Sequence, residues 1–418
     1  MARELALAMV GVVVALGSAA AAAPSVQPLP SPLRLEQAVR IARERRAEIA
    51  AARARVDAAA ERPAAVSALE DPMVTPSLDH VPFMLNGANA QLTVEQRFPL
   101  SGVLGDRRRG AEAELQRARA EADRVRLDVE LDAAAAFLML QERRQTANIL
   151  EEQQALAHQM VRAATARYAA GTGSQADALR AEIEVARLDA ALRATAAEVR
   201  AAEAMLDTSL GQPVDAEVPA LDASVADQAP PAAGAARAAA LERRPELRAG
   251  RAEIARAEAD LAAMKAMTAP MGMVRTGPAY TMTDGPGWML MVGVSVPLWG
   301  GKNRASVAEA QAMAAMADAD LEAMRRMVEG DAAGARERVV AARERRGSLR
   351  DEVVPRARRA IDPTLAGYAS GQLPLVSVIE AAQALWGAQG ELVSAEFELG
   401  LAWARLHRAM GDPEVARP

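Results

Sequence analysis

Hydrophobic and polar positions follow two different periods along this chain. In residues 92–97, Leu92, Val94 and Gln96 alternate with Thr93, Glu95 and Arg97, the two-residue period of a strand. The segment "PMVTPSLDHVPF" before it shares that character, as do "MGMVRTGPAYTM" and "WMLMVGVSV" later, each broken by Gly, Asn or Pro. Residues 72–98 and 271–297 are therefore each expected to form a β-hairpin. Elsewhere the period is helical. One helix is expected over 34–62 and another over 236–268, while 103–167 and 302–366 are nearly free of proline. At about 1.5 Å per residue, each of the last two would be on the order of 100 Å long. Pro99 and Pro297 should end the strands and suit the first turn of the helices that follow, because proline has no N–H for a ladder.

The final helix of each half repeats every seven residues, as Val185, Leu192, Val199 and Leu206, and as Leu385, Leu392, Leu399 and Leu406. Ile149 and Leu156 take the same step on a preceding helix, with Met160 beyond them. A sustained heptad implies left-handed coiled-coil packing. The bends "YAAG" at 168–171 and "YASG" at 368–371 then close two antiparallel helical hairpins. Other stretches also occur twice. "ERRAEIAAARARVDAA" at 44–59 returns as "ERRPELRAGRAEIARA" at 242–257, and "RFPLSG" at 97–102 as "SVPLWG" at 295–300, both 198 positions on. The bends and "MLDTSLGQP" at 205–213 return 200 positions on. The chain reads as an internal duplication of units 32–213 and 241–413, joined by a Pro/Ala/Asp-rich connector at 214–240. Two strands per unit give four, too few to close a barrel around a pore. Open edges are not tolerated in lipid, so the count calls for oligomerisation, and three protomers would give twelve strands.

Composition agrees with a mainly helical chain. Aromatics are only 3% of residues, and Ala and Arg, both strong helix formers, run through nearly every segment. The net charge of −6 is interleaved, without the basic stripe a nucleic-acid partner needs. There is no cysteine, which excludes disulfides and thiolate chemistry. Residues 5–17 are apolar and are followed by "SAAAAAP", so 1–23 is expected to be a cleaved export signal. No Ser/His/Asp arrangement, GxSxG, Walker loop or HExxH occurs, and His80, His158 and His407 fall on different elements. The chain is expected to be no enzyme and to need no cofactor. Seven of nineteen methionines lie in 264–291: Met264, Met267, Met271, Met273, Met282, Met289 and Met291. Thioethers suit Cu(I) or Ag(I), but they also serve as plain apolar packing, so no metal ligand is assigned there or at His80 beside Met73 and Met84. A periplasmic or surface coiled-coil structural protein would explain the heptads, though not the paired hairpins.

The order of helix, strand hairpin, Pro-Leu-x-Gly, long helix, Tyr-x-x-Gly bend and heptad helix, given twice, resembles the TolC family of outer-membrane efflux proteins. "FPLSGVLGDRRRGAEAE" and "VPLWGGKNRASVAEAQA" resemble its strand-to-helix junctions, with Pro99, Gly102, Pro297 and Gly300 at the turns. The resemblance implies a mainly α fold with a β part. A homotrimer would form a twelve-stranded outer-membrane β-barrel, four strands per protomer and in contact with lipid, continuing into a helical coiled-coil tunnel in the periplasm. It implies an exit duct working with a periplasmic adaptor protein and an inner-membrane pump. The adaptor would meet the tips at Gly171, Thr172, Gly173 and Ser174, and at Gly371, Gln372 and Leu373. The family's gate joins a Tyr and an Arg of the second tip to an Asp of the first. Tyr368 and Asp177 stand at two of those places, and Leu373 stands where the Arg would be. Ser377 and Glu380 replace two inward-facing Asp residues, leaving at most one acidic ring. The run from Ala68 to Gly102 looks like the heavy-metal efflux branch, with drug efflux and type I secretion as the alternatives.

Overall fold

The computed structural model describes residues 28–79, 89–214, 216–222, 228–281 and 284–412. The expected export signal and the turn of the first hairpin lie outside them. In chain order the elements are β1 (Leu33–Arg34), α1 (Leu35–Arg45), α2 (Ala47–Ser67), β2 (Met73–Asp79), β3 (Asn89–Pro99), α3 (Val103–Ala169) and α4 (Gln175–Ser209). Then follow β4 (Leu221–Asp222), α5 (Ala233–Arg243), α6 (Pro245–Ala266), β5 (Met271–Thr281), β6 (Gly285–Ser295), α7 (Gly300–Ser348), α8 (Val354–Ala369) and α9 (Leu375–Met410).

The helix expected over 34–62 is in fact two, because Arg46 is extended (φ −65°, ψ 128°) and separates α1 from α2. Arg244 does the same between α5 and α6 (φ −56°, ψ 125°), where Pro245 pushes the residue before it out of the helical region. Both arginines turn back onto the chain. Arg46 donates through Nε to Glu48 at 2.9 Å and through Nη1 to the Ser209 carbonyl at 3.4 Å. Arg244 donates likewise to Glu246 at 3.0 Å and to the Ala409 carbonyl at 3.4 Å. The described part of the connector carries regular structure that its composition does not suggest. It holds β4, which pairs in parallel with β1, and α5 begins inside it.

The two hairpins make one antiparallel sheet in the order β2-β3-β5-β6, the halves joining where Glu95 faces Arg275. Alternation sorts its faces. Leu92, Val94, Trp288, Leu290, Val292 and Val294 lie exposed on one. The register puts Met73, Thr93, Glu95, Arg275 and Met291 on the other, with Arg97, Met271, Met273 and Met289. Glu95 is sealed there, accepting from Nε of Arg97 and Nε of Arg275, each at 2.9 Å. Neither proline sits in a helical first turn. Pro99 is the last residue of β3, four before α3, and Pro297 lies in the stretch between β6 and α7.

Helix α3 runs unbroken for 67 residues and packs against α2, α4, α6 and α9. The expected helix 302–366 instead carries a π-helical turn at Leu349–Val353 between α7 and α8. Pro355 follows at once, and a proline ring clashes with the carbonyl four residues back, so the widened turn relieves a clash with Asp351. The heptad row of α9 is buried at Leu385, Leu399 and Leu406. In α4 the fully buried row is Ala181, Leu188, Thr195 and Ala202, and of the expected row only Leu206 is fully buried. Midway along the bundle a core gathers Leu33, Val39, Leu127, Phe137, Leu140, Leu206 and Leu210. No described helix is long and apolar enough to cross a membrane.

Candidate gate and docking site at the helical tips

Each bend ends its helix by the same left-handed closure. In the first, Gly171 (φ 70°) donates to the Tyr168 carbonyl at 3.0 Å, and Thr172 to the Arg167 carbonyl at 3.0 Å. In the second, Gly371 (φ 81°) donates to the Tyr368 carbonyl at 3.0 Å, and Gln372 to the Gly367 carbonyl at 2.8 Å. Positive φ is why glycine stands at both places. The next helices start differently. Ser174 caps α4 by accepting from the Asp177 amide at 3.2 Å, whereas Pro374 precedes α9. Of the residues expected to meet an adaptor, Gly171, Thr172, Ser174, Gly371, Gln372 and Leu373 are exposed, and Gly173 is half-buried.

The tips share one apolar cluster, and Tyr368 sits in it with Met160, Ala164, Ala181, Ile361, Leu375, Val378 and Leu385. Tyr368 is 1% exposed, whereas its counterpart Tyr168 is 49% exposed. The Tyr368 hydroxyl is shut away from solvent and makes no hydrogen bond among the described residues. Burial, with the nearby Asp177 carboxylate, holds it above the ordinary tyrosine range against the pull of Arg167. Asp177 thus lies within electrostatic reach of Tyr368 without bonding to it. The cation nearest Asp177 is Arg180, at 3.9 Å. Ser377 is half-buried, and Glu380 is exposed without an ion pair among the described residues.

The sequence reading missed Arg167. Its guanidinium carbon lies 4.7 Å from the Tyr368 ring centroid, Nη1 donates to the Tyr368 carbonyl at 2.5 Å, and Nη2 to the Thr172 carbonyl at 2.9 Å. The signal for it was an exchange between the two bends: Arg167 and Gly173 in the first correspond to Gly367 and Leu373 in the second. A Cβ on Gly173 would stand 2.9 Å from that of Arg167, and one on Gly367 would stand 2.7 Å from a Leu373 methyl. Each bend has room for one large side chain over one glycine. Leu373 folds back over its own helix, so it does not take the cross-tip place of the family Arg.

Of the methionines, Met264 lies in α6 and Met267 caps it, while Met271, Met273, Met289 and Met291 lie in the sheet; Met282, Met84 and His80 fall outside the described residues. No group of three or more His, Cys, Asp or Glu side chains suited to a metal occurs among the described residues.

A model of the outer membrane efflux protein family matches residues 38–212 and again 236–412. The chain belongs to the outer membrane efflux protein family. Outer membrane efflux protein BepC of Brucella suis is 28% identical over 287 residues, spanning 67% of this chain and 62% of that protein. The shared stretch therefore covers less than two thirds of that relative. Among solved structures, the outer-membrane channel OprN aligns over 90% of both chains with a TM-score of 0.77 at 19% identity. CusC aligns over 90% of this chain and 92% of its own with a TM-score of 0.80 at 14% identity. VceC of Vibrio cholerae covers 90% and 96% with a TM-score of 0.76 at 18% identity. These likenesses show the fold of outer-membrane channels, and the family match assigns the chain to the outer membrane. Members are channels, so this efflux protein is not an enzyme.

Proposed function

We propose that this efflux protein is the outer-membrane exit duct of a tripartite pump, conducting cargo passively from an inner-membrane pump and a periplasmic adaptor to the exterior. One observation carries the reading: a four-stranded sheet, apolar on one face and polar on the other, feeds directly into helices far longer than a globular core needs. The sheet ends in two strands that lack a second neighbour among the described residues. Three copies would pair those edges into a twelve-stranded barrel, apolar face to lipid and polar face to the pore. The family match to each half supports an ancient duplication. The tips form the periplasmic mouth, where the adaptor docks at the two glycine bends, Tyr368 and Asp177 belong to the gate, and three Glu380 carboxylates ring the entrance. A coiled-coil scaffold would leave the sheet without a role.

Expression followed by membrane fractionation tests the duct. Recovery as a heat-sensitive trimer in the outer membrane is expected, and a wholly soluble periplasmic product would rule it out. For the cargo we favour heavy-metal cations. The run from Ala68 to Gly102 resembles that branch, and Met73, Met271, Met273, Met289 and Met291 share the polar face of the sheet, where soft cations would pass. Deleting the gene should lower survival on copper, silver, zinc, cobalt or cadmium. Unchanged tolerance to all five would leave drug efflux or type I secretion as the function.

A further inference from the structure

We infer that Arg167 is the positioning residue that holds the gate closed, tying the first tip of each protomer to the second; the inference rests on the duct reading above. Three bonds converge on this one side chain. Its guanidinium covers the Tyr368 ring at 4.7 Å, donates to the Tyr368 carbonyl at 2.5 Å, and donates to the Thr172 carbonyl at 2.9 Å. Its own carbonyl accepts from the Thr172 and Gly173 amides, both at 3.0 Å. Arg167 therefore stiffens its own bend and grips the other.

The fit is built on both sides. Gly173 leaves space at the Arg167 stem, and the nearest atom to a Cβ on Gly371 would be Arg167 Nη2, at 3.4 Å. The Tyr368 carbonyl belongs to the last turn of α8, where the negative end of the helix favours a cation. Leu373 cannot substitute, because it is packed down on Gly367. A planar fork is needed to reach two carbonyls while lying over a ring, which suits arginine and not lysine.

The chemistry of this tie differs from a carboxylate latch. Its members are a guanidinium, an aromatic face and two backbone carbonyls. Among the described residues Asp177 makes no bond to Arg167 and instead sits 3.9 Å from Arg180. Moving the second hairpin away from the first strips the ring and the Tyr368 carbonyl from Arg167 together, so one contact sets the resistance to opening.

The test uses full-length protein in planar bilayers, with leakage of a bulky antibiotic into whole cells as the second readout. Arg167→Ala and Arg167→Gln should each raise single-channel conductance and leakage several-fold while the heat-sensitive trimer persists. Arg167→Lys should be intermediate. Tyr368→Phe keeps the ring and carbonyl and should stay closed. Tyr368→Leu should open the channel, and combining it with Arg167→Ala should add little. If the Arg167 variants assemble yet conduct and leak like wild type while Tyr368→Leu opens, Arg167 does not hold the gate. If wild-type protein yields no channel at all, the duct reading itself falls.

Discussion

Leu373 lies against Gly367 so closely that a Cβ on the glycine would stand 2.7 Å from a Leu373 methyl. Gly367→Ala should force the leucine off its helix and loosen the second bend, at about 1–3 kcal/mol for overpacking. Gly171→Ala has open space around it but a φ of 70°, so its penalty is backbone strain of about 1–2 kcal/mol. Adaptor binding measured with both variants separates the roles. Gly367→Ala should weaken docking by disordering Leu373 and Gln372, and full-strength docking would show that the shape of this bend is not read by the adaptor.

Glu130 gives a pH dependence. It is fully buried in α3, 2.6 Å from Arg43 and 3.8 Å from Arg126. Burial holds its carboxyl above the usual range, although both arginines pull it down. A carboxyl whose folded value is raised contributes stability that is complete below its unfolded value, about 4.3, and is lost as pH climbs through the folded one. Relative to Glu130→Gln, the wild type should therefore unfold at progressively lower temperature as pH rises above about 4. Parallel melting curves for the two proteins from pH 4 to 7 would refute the assignment.

Arg244 and Arg46 make matching bonds in different surroundings. The Arg244 and Glu246 side chains are 7% and 13% exposed, and Glu246 also binds Arg408 at 2.7 Å. Glu48, the partner of Arg46, is 53% exposed. Arg244→Ala leaves the buried Glu246 carboxylate with Arg408 alone and should cost about 2 kcal/mol, whereas Arg46→Ala should cost about 1 kcal/mol. Denaturant titration of the purified variants measures both. Equal losses would mean that burial of the pair does not set its worth.

Neighbouring residues test the two faces of the sheet. Leu290 is exposed on the apolar face and Met291 lies on the polar one. Leu290→Arg places a charge in lipid, at about 2–4 kcal/mol near the bilayer midplane, and should abolish recovery of trimer from the outer membrane. Met291→Arg should assemble normally. The reverse pattern would turn the sheet inside out.

Much of this architecture was legible in the chain because its periods are long and its punctuation strong. Alternation around Val94 and Glu95 marked the strands, and the glycines at 171 and 371 marked the bends. The break at Arg244 was signalled by Pro245. No such residue follows Arg46, which is held extended by bonds to Glu48 and the distant Ser209 carbonyl, and contacts across 163 residues leave no local pattern. β1 and β4 are two residues each, too short to show a period. In α4 the repeat misled by one row, because the small Ala181 and Ala202 bring the helices together and push Val185 and Val199 to the flank. Arg167 belongs to no motif. It emerges only when positions 167 and 173 are set beside 367 and 373.

The wide turn at Leu349–Val353 has a bearing on how the two bends meet. From Gly102 to Tyr168 the first half spends two residues fewer than the second does from Gly300 to Tyr368. Two residues of regular α-helix would carry the second bend about 3 Å further down, out of step with the first. A π-helical turn takes up surplus chain as a bulge. The longer descending arm is thereby brought closer to level with its twin, near where Arg167 meets Tyr368.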